Sequence, residues 1–545
     1  MKKKPNILLI TTDQQRYDTI NALGYDFMHT PNLDRLAKEG CVFTNPYSPN
    51  PVCIPARHNI LTGLTARHHG FDDNYFVDKK NIPYHLPTFP QILSDDGYDT
   101  VAIGKLHFQP YRRHNGFHRL YLMDEIPEYR EDDDYAMYLK EQGYGHFQSI
   151  HGVRHLLYML PQRSLVPEKH HGNCWVADKT IDYLDENQGR RPFLIWAGFI
   201  HPHPPFDVPD EWADLYKDAA LTEPFVSNTP LSPLAEENKP IADYPNTKYL
   251  QRARELYYAS ISHVDNNIGK ILDKLEEIGE LDNTLILFTS DHGEMLGDHG
   301  TYQKFLPYDS SSKVPFIIRY PSRVAAGSER HDFVDLNDIL PTFLDATDIS
   351  YPGDLELPGE SVFVEVGHKN RQVQYIEYCK DNKRWVSLRN KQYKYNYYYG
   401  GGYEELFDMI NDPMETTNLL HQLLPSQPIN QQYLEAQQEL RQQLIDMEEK
   451  YGLEGYIENG DFKTMPPYEP IYYRETNFPK FPKEIVRKGE KEELISILDE
   501  ILLAIKKEPT VKLEELDLKT FQKYGGFTDE EISELVEESK KNSMN

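Results

Sequence analysis

Three short apolar runs, Asn6–Thr12, Pro192–Phe199 and Thr284–Ser290, read as buried strands, and each leads to a residue with chemistry of its own: Asp13, His201 and Asp291. Helix signals lie between them. Pro31–Glu39 has Pro early and Gly40 just past its end. Leu86–Asp95 reads as a helix and Asp99–Gly104 as the strand after it. In Tyr249–Ile278, Leu250, Ala253, Leu256, Tyr257, Ile261, Val264, Ile268, Ile271, Leu272 and Leu275 recur at helical spacing, and Gly279 follows as a stop. This alternation predicts an α/β fold, with a mostly parallel central sheet flanked by helices. Ligands of such sheets bind beyond the carboxyl ends of the strands. Asp13, His201 and Asp291 are therefore expected to converge.

From about Gln372 the texture changes. Gln372–Cys379, Trp385–Arg389, Tyr393–Tyr399 and Glu404–Met409 are short aromatic-rich runs separated by turn residues. They predict a smaller antiparallel sheet, followed by a helix at about Gln431–Lys450. The 545 residues allow one large domain plus smaller units. The expected division is a catalytic domain over 1–365, a C-terminal α+β subdomain over 366–450 and an extension over 451–545. The extension begins with a Pro- and Tyr-rich stretch. It ends in amphipathic helices at Lys491–Lys507 and from Thr528, where Thr528 and Glu531 have capping-box spacing.

The most specific segment is Pro51-Val-Cys53-Ile-Pro55-Ala-Arg57-His-Asn-Ile-Leu-Thr62-Gly63. Pro55 suits the first turn of a helix, which puts Cys53 near the N-terminus, where free amides favour an anion. Arg57 then shares its helix face. Cys-x-Pro-x-Arg followed by Leu-Thr-Gly resembles the signature of sulfatases, members of the alkaline phosphatase superfamily. Further segments resemble that family in its order. They are Asn6–Gln14 (first strand and metal motif), Thr30–Ala37 (early helix), Gly104-Lys105-Leu-His107, His201-Pro-His203-Pro-Pro, Ser290-Asp291-His292-Gly293 through Gly300, and Asp412-Pro-x-Glu-x-x-Asn-Leu. Lys304 falls where the family has an active-site lysine.

The resemblance implies an alkaline-phosphatase-like large domain and a Cys53 oxidised to formylglycine by a maturation enzyme, the hydrate being the nucleophile. Asp13, Gln14, Asp291 and His292, together with residue 53, would hold one divalent cation. Oxygen-rich ligands point to Ca²⁺, with Mg²⁺ or Mn²⁺ as alternatives. Arg57, Lys105 and Lys304 would hold substrate charge. His201, with Lys304, would protonate the leaving alkoxide, and His107 would be the base that releases sulfate. Gln14 departs from the adjacent acid common in the family, and His292 from the common Asn. The expected reaction is hydrolysis of a sulfate ester on a mono- or oligosaccharide. The alternatives are a phosphonate monoester or phosphodiester hydrolase with the same nucleophile, and a non-catalytic binding protein. His203 and His299 are each read as either a supporting residue or a core histidine, and His58, His68 and His69 receive no role.

The net charge of −29 argues against nucleic acid or an anionic membrane as partner. No apolar run approaches the ~20 residues of a membrane helix, and the apolar stretch after Lys2–Lys4 is too short for a signal peptide, so a cytoplasmic location is expected. The four cysteines, Cys41, Cys53, Cys174 and Cys379, are too scattered for a disulfide framework. Leu494, Ile497, Leu498 and Ile501 of the extension could pair with a second subunit in a homo-oligomer or cover their own chain. Glu131–Asp134 reads as a solvated acidic loop. Tyr393, Tyr395 and Tyr397–Tyr399 read as packing residues before sugar-stacking ones. Specificity is expected from Asp72–His85, Arg112–Arg163 and Asp207–Lys248.

Overall fold

The central strand, Asn6–Asp13, is buried along its whole length and pairs in parallel on both sides, with Phe193–Pro202 and with Thr284–Ser290. Its neighbours complete an eight-stranded sheet in the order Ser328–Asp335, Cys41–Tyr47, Phe316–Arg319, Thr284–Ser290, Asn6–Asp13, Phe193–Pro202, Asp99–Gly104, Arg119–Leu122. Only Phe316–Arg319 runs antiparallel within it. The computed structural model describes residues 3–74, 81–125, 127, 129–154, 157–187, 189–237, 247–363, 371–421, 429–469, 491–512 and 528–537, the last without 532 and 535. The rest of the Pro- and Tyr-rich stretch, parts of the Asp72–His85 and Asp207–Lys248 loops, and most of the final helix lie outside them.

One core lies on each face of the sheet. On one side Ile7, Leu9, Trp196 and Leu287 pack with the Cys53–Thr62 and Ile339–Thr347 helices. On the other, Leu8, Ile10, Ile195 and Phe288 meet the Gly172–Asn187 and Thr247–Glu277 helices. The fold class is therefore α/β as expected. The early helix runs Pro31–Glu39, and its first amides are satisfied from the long helix: Asn32 and Leu33 N–H donate to Asp265 at 3.1 and 2.7 Å. The helix read from Leu86 begins at Phe89, because Pro87 biases Leu86 away from helical backbone and the Thr88 side chain caps Gln91 N–H. The strand read to Phe199 runs on to Pro202, and its register against the central strand shifts between Thr11 and Asp13, so that Asp13 pairs with Pro202.

The second sheet is four-stranded and antiparallel, Gln374–Tyr378, Trp385–Arg389, Tyr393–Tyr398 and Tyr403–Asp408, with the Gln431–Tyr451 helix against it. Its tyrosines are packing residues: Tyr395 is buried and Tyr397 stacks on Phe462 at 4.0 Å. The acidic run is not merely solvated. Asp133 is buried, caps Ala136 N–H at 2.7 Å and accepts from Tyr111 at 2.8 Å.

The extension folds back on its own chain. Ile497, Leu498, Ile501 and Leu502 of the Lys491–Lys507 helix are buried against Val153, Leu157, Leu160 and Tyr249. Glu508 pairs with Arg252 at 2.8 Å and Arg163 at 3.1 Å. Of the two roles open to this apolar face, a subunit contact or a cover for its own chain, Ile497, Leu498 and Ile501 take the second, while the side chain of Leu494 lies outside the described residues. Thr528 and Glu531 make the reciprocal capping bonds. Among the described residues no helix is long and apolar enough to cross a membrane.

Two measurements check this docking. Ile501→Ala should cost about 2–4 kcal/mol in denaturant melts and leave the light-scattering mass unchanged; a change of mass would return the helix to a subunit contact. Burial pushes the Glu500 carboxyl up to about 7. The folded state then keeps a proton that the unfolded chain releases near pH 4.3. This contribution is favourable below that pH and declines until about pH 7. Glu500→Gln should gain on the parent chain by up to about 3 kcal/mol across that window, read by melts at fixed pH. A difference independent of pH would contradict the assignment.

Candidate active site

Cys53 is the first residue of the Cys53–Thr62 helix, every residue of which is buried. Pro55 costs no hydrogen bond there, being in the first turn. Gly63 closes the helix at φ 68°, its N–H bonded to Asn59 O at 2.8 Å. At the open end, Asn74 Oδ1 accepts from Ile54 N–H at 2.9 Å. Lys105 follows the strand Asp99–Gly104 through a very close approach: a Cβ on Gly104 would sit 2.0 Å from Gly198 O, and Gly104 has φ 91°. Only glycine allows the turn that brings Lys105 inward. Gln14 leaves the central strand at φ 66°, a conformation that costs energy in a non-glycine residue.

These elements deliver a buried constellation of charge. Arg57 Nε donates to Asp291 Oδ2 at 2.9 Å, its Nη2 to Asp13 Oδ2 at 3.1 Å and its Nη1 to Lys105 O at 2.6 Å. Lys105 Nζ lies 2.7 Å from Asp13 Oδ2 and 2.8 Å from Glu125 Oε2. Lys304 Nζ reaches Gln14 Oε1 at 2.8 Å, Cys53 Sγ at 3.2 Å and His203 Nε2 at 3.0 Å. His292 Nε2 is also 3.2 Å from Sγ.

The charges reset one another. Burial and Asp13 oppose ionisation of Cys53, but Lys304, Lys105 and His292 hold its thiol well below the usual range. Burial likewise opposes ionisation of Asp13, and the cations Lys105 and Arg57 overcome it. Burial, joined by the Asp13 charge, pushes Asp291 up to about 6. Burial takes His203 down to about 4. His203 Nδ1–H donates to Pro204 O at 2.6 Å, so the neutral ring turns its Nε2 lone pair to Lys304.

Asp13, Cys53, Asp291 and His292 each bring a ligand atom within 4.8 Å of the others. Two facing carboxylates that raise the cost of each other's charge are the environment a cation relieves. His292 gives Nδ1–H to Gly293 O at 3.0 Å, which leaves Nε2 for a ligand role. Gln14 Oε1 lies beside this group through the shared Lys304 bond. The donor set of carboxylate, amide oxygen and one imidazole fits a divalent cation.

Most of the residues expected from the sequence meet here: Asp13, Gln14, Cys53, Arg57, Lys105, Asp291, His292 and Lys304. His107 joins them, with a ring nitrogen within 4.8 Å of both Cys53 Sγ and a Glu125 oxygen. His201 does not. Its Nδ1 is 3.0 Å from Asn173 Oδ1 and its Nε2 is 2.8 Å from Asp207 Oδ1, so both nitrogens are engaged elsewhere. His203, two residues on, faces the cysteine. His299 bonds Ser227 and packs at a tilt against Tyr308, ring centroids 5.0 Å apart. His58 stacks on Phe71 at 4.0 Å. Sequence reasoning missed Glu125, Arg154 and Asn74. Only the placement of the first two within Arg112–Arg163, and of Asn74 within Asp72–His85, hinted at them.

Residues 5–349 match the sulfatase family model, and residues 297–450 match that of the N-sulphoglucosamine sulphohydrolase C-terminal region. An arylsulfatase of Clostridium perfringens is 34% identical over 450 residues, covering 77% of this chain and 90% of that protein. An N-acetylglucosamine-6-O-sulfatase of Bacteroides thetaiotaomicron is 27% identical, covering 82% and 87%. The crystal structure of a phosphonate monoester hydrolase of Agrobacterium radiobacter superposes with a TM-score of 0.70 at 24% identity, covering 85% of this chain and all of that one. The chain belongs to the sulfatase family, whose members hydrolyse sulfate esters.

Proposed function

We propose that the chain hydrolyses the sulfate ester of a carbohydrate with a nucleophile made from Cys53 and with one bound divalent cation. The observation that carries the reading is the seating of Cys53. It heads a buried helix with Lys304 Nζ and His292 Nε2 each 3.2 Å from Sγ, beside the carboxylates of Asp13 and Asp291. Sγ stands where the oxygen of a matured residue would be. The arylsulfatase and N-acetylglucosamine-6-O-sulfatase relatives support the ester class and the sugar.

Oxidised to formylglycine by a maturation enzyme, residue 53 would supply a hydrated aldehyde, one hydroxyl to attack sulfur and the other to expel sulfate by C–O cleavage. A cation held by Asp13, Gln14, Asp291 and His292, Ca²⁺ first and Mg²⁺ or Mn²⁺ as alternatives, would polarise a sulfate oxygen. The remaining work falls to the protein's own side chains. Arg57 fixes the two aspartates and adds positive charge behind the nucleophile. Lys105 and Lys304 hold the charge that grows on the sulfuryl oxygens. Lys304 and His203 share a hydrogen bond, and this pair keeps the proton that the leaving alkoxide takes. That role moves from His201 to His203. His107 is the base for the release step.

A second reading, a phosphonate monoester hydrolase with the same nucleophile, is favoured by the fold likeness to the Agrobacterium enzyme. Both esters offer a tetrahedral oxyanion to the same cations. Parallel kcat/KM values for a sulfate and a phosphonate monoester of one alcohol separate them, and a clear advantage for the phosphonate would displace the sulfate reading.

Protein co-expressed with a maturation enzyme should carry a Cys53 peptide lighter by about 18 Da and reactive with hydrazide. Cys53→Ala should fold and lose about 10⁴-fold or more in kcat/KM. Full activity in that variant would overturn the nucleophile assignment. Chelation should abolish turnover, and readded cation should restore it. At 100 times its Kd the cation should raise stability by about 2.7 kcal/mol, seen as a higher Tm that Asp291→Asn removes. An unchanged Tm would argue against the cation site.

A further inference from the structure

Arg154 reaches the active site from a segment that no motif marks. Its side chain is only 5% exposed, and its guanidinium donates from Nη2 to Glu125 Oε1 at 2.5 Å. Its Nε has no hydrogen-bond partner among the described residues. A buried guanidinium N–H without an acceptor is costly, and such groups ordinarily have partners. The Glu125 carboxylate is shared: its other oxygen contacts Lys105 Nζ at 2.8 Å and lies 3.4 Å from His203 Nε2. If the Lys304–His203 pair passes its proton to the leaving oxygen, the alcohol half of the ester must come to this carboxylate. Tyr158 adds a flat wall, its ring 4.5 Å from the Arg154 guanidinium carbon and 6.3 Å from the His203 ring. Unlike Arg154 it is half-buried, and so opens the group towards solvent.

We propose that Glu125, Arg154 and Tyr158 form the subsite for the alcohol half of the ester, and that it selects a polyhydroxylated ring. This rests on the sulfatase reading above and names its substrate side. A hydroxyl can donate to Glu125, while the same or a neighbouring hydroxyl accepts from Arg154 Nε. A carbohydrate ring can do both and still lay its C–H face on Tyr158. A simple phenol does neither once its oxygen bears sulfate. The subsite is braced from behind. Val153 and Leu157, flanking Arg154, pack on the buried face of the Lys491–Lys507 helix, and Glu500 of that helix accepts from Ser149 N–H at 3.1 Å. The C-terminal extension thus holds the segment that carries Arg154 and Tyr158.

The test compares matured parent enzyme, Arg154→Ala and Arg154→Lys on a panel of monosaccharide 2-, 3-, 4- and 6-sulfates and on 4-nitrophenyl sulfate. Near-ultraviolet circular dichroism checks the fold of each variant. Arg154→Ala should lose about 100-fold in kcat/KM on the best sugar sulfate, the scale of hydrogen bonds to a charged group, and at least ten times less on the aryl ester. Arg154→Lys keeps the charge beside Glu125 and lacks the Nε donor. It guards against a misfolded Ala variant and should show the same change of preference to a smaller degree. Equal losses on both esters, or no loss on the sugar, would overturn the subsite. If the parent enzyme turns over the aryl ester and no sugar sulfate, the subsite fails and the sulfatase reading stands. If it turns over neither sulfate, both fail.

Discussion

One guanidinium holds the ends of two parallel strands together. Asp13 closes the central strand and Asp291 follows the strand beside it, and Arg57 bonds both while showing no surface to solvent. Without it two carboxylates would face each other in a dry interior, and removing one partner of such a buried pair costs about 3–5 kcal/mol. The arrangement explains why the Cys53 helix need not be amphipathic. It is buried on every side because its first turn must reach across the carboxyl end of the sheet. The helix start that positions the cysteine and the strand ends that position the acids are therefore one construction.

The second sheet serves the same place from the other direction. Lys304 sits in a segment whose backbone is under tension, with positive φ at Leu296, His299, Gln303 and Phe305. Such a segment holds its shape only if its surroundings over-determine it. Trp385 Nε1 donates to Phe305 O at 2.8 Å, and Asp309 is gripped by Lys394 and Arg389 at 2.9 Å each and by Tyr47 at 3.1 Å. Glu415 closes this cluster, bonding Asp309 N–H at 2.6 Å and Lys394 at 2.8 Å. The late Asp412-Pro-x-Glu415 motif, far from Cys53 in sequence, thereby helps fix the lysine beside it.

Much of this could be read before the fold was known, for a physical reason. Parallel strands buried on both faces leave long apolar runs, and their ends are visible as the first polar residue, which located Asp13 and Asp291. The same rule failed at His201. There the strand continues to Pro202, and the His201 ring is held by Asp207 and Asn173. The residue that clears the strand is His203. Glu125 and Arg154 were illegible because irregular connections carry no periodicity. Their partners lie 20 to 50 residues away, at Lys105 and Pro204, and nothing in the local spacing encodes that.

The side chains around Cys53 are close to balanced in charge. Arg57, Lys105 and Lys304 stand against Asp13, Asp291 and Glu125. An anion gains little from such a set; with the proposed divalent cation on Asp13 and Asp291, the surplus would suit an ester bearing a single negative charge. Sulfate monoesters and phosphonate monoesters both meet that condition, so the oxyanion half of the pocket is a poor place to separate them. What distinguishes one ester from another must be read on the alcohol side. There Glu125 turns a carboxylate toward the leaving group and would repel an anionic one, while Arg154 offers a donor in return. On this proposal, selectivity in this chain would be set by a loop and its C-terminal brace, and catalysis by the strand ends.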